Sequence, residues 1–350
     1  MAKRLYIENQ QVENAMSEER SQEEMPSLVS QIKNIGYYAG LSFGTGYSLV
    51  FLGVILIFVE MIFRILQAGF LTSYFIDMPP WRITTLVLVF IGLFLGVGFG
   101  STIAGNARSA KEGSLTLEKI YSSISTFSLM LLFLWLGSTV SAFVTKQSPF
   151  SSVCGAAGSV LLLIGLGRYR EKASRFVGAI IMLIALVLIY FVAYWNILYK
   201  PINGLLFSEL TIEALSLIIL GLCAVIFSMP IVQEDLKQAV LGIVLSVIGI
   251  IFSAGVVYLN FSALSVFSLS TPIARIPYVS NLPGCSILLS NVLALYGEAY
   301  SALMVFTGFL LLGISGIIGI VTACLTLAVS IRQLAVGPKA PPPPPPPSRA

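Results

Sequence analysis

The stretch Ile83–Ala104 reads ITTLVLVFIGLFLGVGFGSTIA and carries no charge. A helix needs about 20 mainly apolar residues to cross the hydrocarbon core of a bilayer. Within that core every backbone N–H and C=O has to be satisfied inside the segment, so a stretch of this kind predicts a membrane-spanning helix. Gly92, Gly96, Gly100 and Ala104 recur every four residues along it. On a helix this spacing places all four on one face. Small side chains there let a second helix backbone approach closely.

The same rule applied along the chain yields eight spans. They cover roughly residues 40–66, 83–104, 123–144, 149–167, 175–198, 210–230, 238–260 and 300–331. The composition agrees. Of 350 residues, 57% are hydrophobic and 10% are charged, where a soluble globular chain carries roughly 25% charged residues. The fold class expected is therefore all-α, a polytopic transmembrane helix bundle. The fourth span is the weakest of the eight, because it opens on Cys154-Gly155-Ala156-Ala157-Gly158, a poor helix start.

Basic residues orient such a bundle, since Lys and Arg accumulate in cytoplasmic connections. With eight spans both termini share one side. That side collects fifteen of the 20 basic residues: Lys3, Arg4, Arg20, Lys33, Arg108, Lys111, Lys119, Arg168, Arg170, Lys172, Arg175, Lys237, Arg332, Lys339 and Arg349. Arg64, Arg82, Lys146, Lys200 and Arg275 fall on the other. The bias predicts a cytoplasmic N-terminus and C-terminus. It also argues for the fourth span, without which the Arg168–Arg175 cluster would change sides.

Three regions follow. Residues 1–35 form a polar cytoplasmic tail, rich in Glu and Gln and partly disordered. No apolar core lies near its start, so a cleavable signal peptide is not expected. Residues 36–333 form the transmembrane domain, whose longest external loop covers about 261–299. Residues 334–350 form a disordered cytoplasmic tail containing Pro341, Pro342, Pro343, Pro344, Pro345, Pro346 and Pro347. A run of prolines adopts an extended polyproline II helix, which loses little entropy on docking into an aromatic groove. It is the candidate partner-binding segment, although a stiff spacer accounts for it equally simply.

Two further small-residue stripes accompany the one on the second span. Gly242, Ser246, Gly249 and Ser253 mark the seventh, and Ser315, Gly319 and Ala323 the eighth. Together they predict that the second, seventh and eighth spans close on one another. Glu60 and Arg64 lie one turn apart near the outer end of the first span. Charges within a membrane mark functional sites by default. This pair is a candidate gate or ion pair, against a purely structural interface pair in the favourable Glu-before-Arg order. Cys154 and Cys285 both fall on the external side and are candidates for a disulfide. Tyr74, Trp81, Tyr194, Trp195, Tyr199 and Tyr258 gather near external span ends, where aromatic belts form, and Trp135 falls mid-span as a core residue.

The chain contains no histidine, which removes the commonest metal ligand and general base. Its four cysteines, Cys154, Cys223, Cys285 and Cys324, are far apart. Phosphate-binding Gly-rich motifs and paired intramembrane aspartates are missing. Neither an enzyme nor a metal or other cofactor is expected, and no basic block points to nucleic acid. Two functions fit. One is a non-catalytic membrane scaffold or complex subunit of the cell membrane, whose cytoplasmic tails bind partners. The other is a transporter or channel for a small neutral or apolar solute, for which Glu60 and the long external loop speak. The partners expected are the lipid bilayer, a protein at the proline tail, and a second copy of the chain as a homo-oligomer.

Overall fold

A computed structural model describes residues 31–32, 34–59, 79–144, 146, 148–199, 236–266 and 299–336. The described residues are helical apart from short turns, and no strand occurs among them. The helices are α1 (Asn34–Val59), α2 (Pro80–Lys111), α3 (Leu117–Val144), α4 (Phe150–Arg170), α5 (Arg175–Tyr199), α6 (Leu236–Val266) and α7 (Ala299–Val336). Each contains a segment long and apolar enough to cross a membrane. The chain thus has the make-up of an integral membrane protein. The predicted span at 210–230 lies outside the described residues, as do residues 1–30, 267–298 and 337–350; of the predicted 261–299 loop, residues 261–266 instead continue α6, and residues 334–336 of the predicted C-terminal tail continue α7.

Local sequence sets the ends. Pro80 begins α2, at the position where its missing N–H costs nothing and its fixed φ already suits a helix. The helix runs on past the apolar stretch to Lys111. There the amide of Glu112 bonds the Arg108 carbonyl, and Gly113 turns the chain at φ +73°, a conformation glycine adopts freely. The α4 helix begins at Phe150, so its Gly-rich opening is helical, and its glycines have neighbours. Gly155 lies against the Trp135 ring, and Gly158 against Ile189 of α5. Packing outweighs the weak intrinsic propensity.

The α1 helix is the most enclosed: 61% of its apolar window is buried, against 28–44% for the other six. It contacts α2, α3 and α7 directly. Neighbouring helices in the chain pair as α2 with α3, α3 with α4, α4 with α5, and α6 with α7. Tyr190 of α5 meets Phe252 of α6 edge-on at 5.8 Å. Outward faces are apolar, with Phe94, Leu183 and Ile251 all exposed. In water so much exposed apolar surface would drive association; in lipid it is the expected exterior.

One end of the bundle gathers the start of α1, the ends of α2, α4 and α7, and the starts of α3 and α5. A Cβ at Gly36 would lie 3.9 Å from the Thr322 methyl, the Lys111 ammonium sits 4.6 Å from the Tyr37 ring centre, and the Tyr121 and Tyr169 ring centres are 6.2 Å apart. Arg108, Lys111, Lys119, Arg168, Arg170, Lys172, Arg175 and Arg332 all belong to this end. Arg82 and Lys146 belong to the other.

Candidate functional site

The buried centre is built on α1. Its sequence from Ala39 to Ser48, AGLSFGTGYS, puts small residues on two faces. Gly40, Gly44 and Ser48 meet α2. A Cβ at Gly44 would stand 2.5 Å from the Gly100 carbonyl oxygen and 2.6 Å from the Ala104 amide nitrogen. One at Gly40 would stand 2.6 Å from the Ala107 Cβ. One at Gly100 would collide with the Ser48 hydroxyl, and one at Gly96 with the Phe51 ring. The Ser48 hydroxyl donates to the Val97 carbonyl at 3.0 Å. Backbones are therefore in contact along two turns, which only glycine permits.

The opposite face of α1 meets α7. Gly46 and Gly308 each present a carbonyl to the other, 2.8 Å from where a Cβ would lie. The Ser42 hydroxyl donates to the Leu311 carbonyl at 2.8 Å. Between these two seams stands Tyr47, fully buried. Its ring stacks on Phe43 and Phe51 and meets Phe99 edge-on at 5.2 Å. Its hydroxyl donates to the Met130 sulfur at 3.6 Å. Phe99 in turn packs on Phe127 at 5.0 Å.

The expected closure of α2 on α6 and α7, the predicted seventh and eighth spans, is corrected by this arrangement. The α2 stripe closes on α1 through Gly96, Gly100 and Ala104, and on α3 through Gly92, whose Cβ would strike Leu134. The reason lies in α1, which carries small residues on both faces and so separates α2 from α7. Gly40-x3-Gly44-x3-Ser48 has the same four-residue spacing as the α2 stripe. That signal is present in the sequence of α1 beside the three stripes on α2, α6 and α7.

The other stripes divide as follows. Ser315 and Gly319 lie about two and three turns along α7 from Gly308, on the face toward α1, and both are buried. Ala323, also buried, lies at the edge toward α6. Gly242, Ser246, Gly249 and Ser253 are buried on α6, continuing through Val256 to Asn260. The α6 and α7 helices run antiparallel: Phe261 sits opposite Gly313, and Val257 opposite Gly316. Buried hydroxyls here ordinarily bond the carbonyl three or four residues back, as Ser128, Ser159, Ser315, Thr326 and Ser330 do. The Ser246 and Ser253 hydroxyls are buried and have no hydrogen-bond partner among the described residues.

Glu60, Arg64, Cys285 and Pro341–Pro347 lie outside the described residues, so the candidate pair, the disulfide and the partner segment do as well. Cys154 is a half-buried thiol on α4, and Cys324 an exposed one on α7. Trp135 is buried. Tyr258 is exposed on α6. Among the described residues no three His, Cys, Asp or Glu side chains cluster where a metal could sit. Comparison of the chain with protein-family models, curated proteins and solved structures found no match.

Proposed function

We propose that the chain is a non-catalytic membrane scaffold or complex subunit of the cell membrane. In this reading eight spans cross the bilayer, both termini are cytoplasmic, and the tails bind partner proteins. The observation that carries it is the closed centre around α1. Two glycine seams bring backbones into contact on opposite faces, and the Ser42 and Ser48 hydroxyls are committed to neighbouring carbonyls. Such a centre is fixed rather than gated, because well-packed interiors do not deform continuously. The eight basic residues gathered at one end support a cytoplasmic assignment for that end. The proline run offers the tail a docking mode.

The test is purification in mild detergent, with mass spectrometry of the complex, from chains with and without Pro341–Pro347. A stoichiometric partner lost with the prolines is expected. A partner unaffected by their removal would move binding elsewhere, and recovery of the chain alone would count against the scaffold.

A second reading, a transporter or channel for a small neutral solute, rests on Ser246 and Ser253. Their buried hydroxyls, without a partner among the described residues, are what a transient polar solute would engage. Osmotic shrinkage of proteoliposomes in urea or glycerol, compared between the native chain and Ser246→Ala/Ser253→Ala, tests it. A flux that depends on the two hydroxyls would favour this reading over the scaffold.

A further inference from the structure

The two turns at the basic end differ in how their cations are used. In the α2–α3 turn the charges are engaged within the chain. Arg108 pairs with Glu112 at 2.9 Å, the Lys119 ammonium donates to the Ser109 hydroxyl at 2.8 Å and the Ser114 carbonyl at 3.2 Å, and Lys111 lies over Tyr37.

The α4–α5 turn holds four basic residues within eight positions, Arg168 to Arg175, and a single acid, Glu171. Glu171 is already taken, by Arg168 at 3.5 Å and by the Ser174 hydroxyl at 3.0 Å. Arg170, Lys172 and Arg175 therefore have no acidic partner among the described residues. All three are exposed.

The turn is also rigid. Gly178 presses against the backbone of Arg168 and Tyr169, and the Ser174 hydroxyl bonds the Arg168 carbonyl at 2.9 Å. Two tyrosine rings hold the guanidinium groups: Arg170 lies 5.3 Å over Tyr121, and Arg175 lies 5.9 Å over Tyr169. The two rings meet edge-on. A guanidinium on an aromatic face keeps its N–H edge free and loses little freedom when that edge binds an anion.

A preference for positive charge on one side accounts for the number of cations. It does not account for two guanidinium groups each seated on one of two contacting rings, with Lys172 between them in the chain and without an acidic partner among the described residues.

We propose that Arg170, Lys172 and Arg175, set on Tyr121 and Tyr169, form a binding site for the phosphate of an acidic phospholipid headgroup. The recognition chemistry is charge-assisted N–H···O bonding to phosphate oxygens. The site sits where α4 and α5 leave the apolar zone, at the depth of headgroups and of interfacial tyrosine. The proposal rests on the chain being embedded in a bilayer and is independent of whether it acts as a scaffold.

The test is native mass spectrometry of the full chain in nonionic detergent. Phosphatidylglycerol, phosphatidylcholine, inorganic phosphate and polyglutamate are added in separate titrations. Retained phosphatidylglycerol adducts in excess of phosphatidylcholine are expected. Each basic group at an anionic surface contributes about fivefold. The variant Arg170→Gln/Lys172→Gln/Arg175→Gln should therefore bind phosphatidylglycerol roughly 100-fold more weakly, while Lys146→Gln at the opposite end binds as the native chain does.

Should the triple variant fail to insert, Arg170→Lys/Arg175→Lys keeps every charge and loses only the planar fork. It should lose about threefold to tenfold in phosphatidylglycerol binding. Equal retention of the two lipids, or unchanged binding in the lysine variant, would overturn the proposal. So would displacement by inorganic phosphate at matched concentration, or preferential capture of polyglutamate. Carbonate extraction of the native chain separates the two levels: release from membranes would overturn the membrane placement itself, whereas retention together with equal lipid adducts overturns only this site.

Discussion

At the level of single residues, what matters in this bundle is where a methyl group has no room. Gly100 and Gly105 lie on the same helix and differ only in face. A Cβ at Gly100 would strike the Ser48 hydroxyl and the Gly44 carbonyl, whereas one at Gly105 meets nothing within 4 Å. Gly100→Leu should therefore force α1 and α2 apart. It should destabilise the bundle by at least about 1–3 kcal/mol, the cost of overpacking a well-filled interior. Gly105→Leu should be neutral or slightly stabilising, since it removes a glycine from a helix interior. Thermal unfolding in detergent checks both, and equal behaviour of the two variants would remove the α1–α2 seam from the account. Ser48→Ala keeps the close approach and removes only the bond to the Val97 carbonyl. Interhelical hydrogen bonds in membranes are worth about 0.6 kcal/mol on average, so its loss should be near that and well below the glycine effect.

Between elements, periodicity announces a close approach without naming the neighbour. The spacing of Gly92, Gly96, Gly100 and Ala104 was legible as a packing face, but its partner was not. A stripe encodes the shape of one surface, and complementary stripes on α1, α6 and α7 are all compatible with it by spacing alone. The pairing is decided by α1, whose small residues lie on two faces and so seat it between α2 and α7. The start of α2 was legible to within three residues, because Pro80 precedes the apolar run, whereas its end at Lys111 lies seven residues beyond the predicted span, since a helix can continue in polar sequence past the bilayer. At α4 the ends were read to within three residues, and what misled was the opening, whose glycines read as a weak start and are in fact contact points for Trp135 and Ile189. The α6–α7 seam offers a parallel test. A Cβ at Gly316 would lie 2.8 Å from Val257 and 3.1 Å from the Ser253 carbonyl, while Gly255 faces open space. Gly316→Leu should loosen the two helices, giving faster hydrogen exchange of amides along both, and Gly255→Leu should leave exchange unchanged. Faster exchange confined to α7 would mean that the seam does not couple the pair.

Over the whole molecule, a helical bundle with one basic end has a direction, and α4 is the element on which that direction depends. The α4 helix has 21 residues, about 31 Å at 1.5 Å per residue, just enough to match the hydrocarbon thickness. If it crosses, Lys146 and Lys172 lie on opposite faces of the membrane. If it does not, the Arg168–Arg175 cluster shares a side with Lys146, and the charge asymmetry among the described helices is lost. Single cysteines at these two positions, in a background with Cys154, Cys223, Cys285 and Cys324 replaced by serine, decide between them. A membrane-impermeant maleimide should label Lys146→Cys in intact cells and Lys172→Cys only in inverted vesicles. In the native chain Cys285 should label together with Lys146→Cys once any disulfide is reduced. Labelling of Lys146→Cys and Lys172→Cys from the same face would take α4 out of the membrane. It would also carry the Arg170–Arg175 phosphate site to the side opposite the ends of α2 and α7. The edge-on contact of Tyr121 with Tyr169 argues against that outcome, because it ties the start of α3 to the end of α4 at one level.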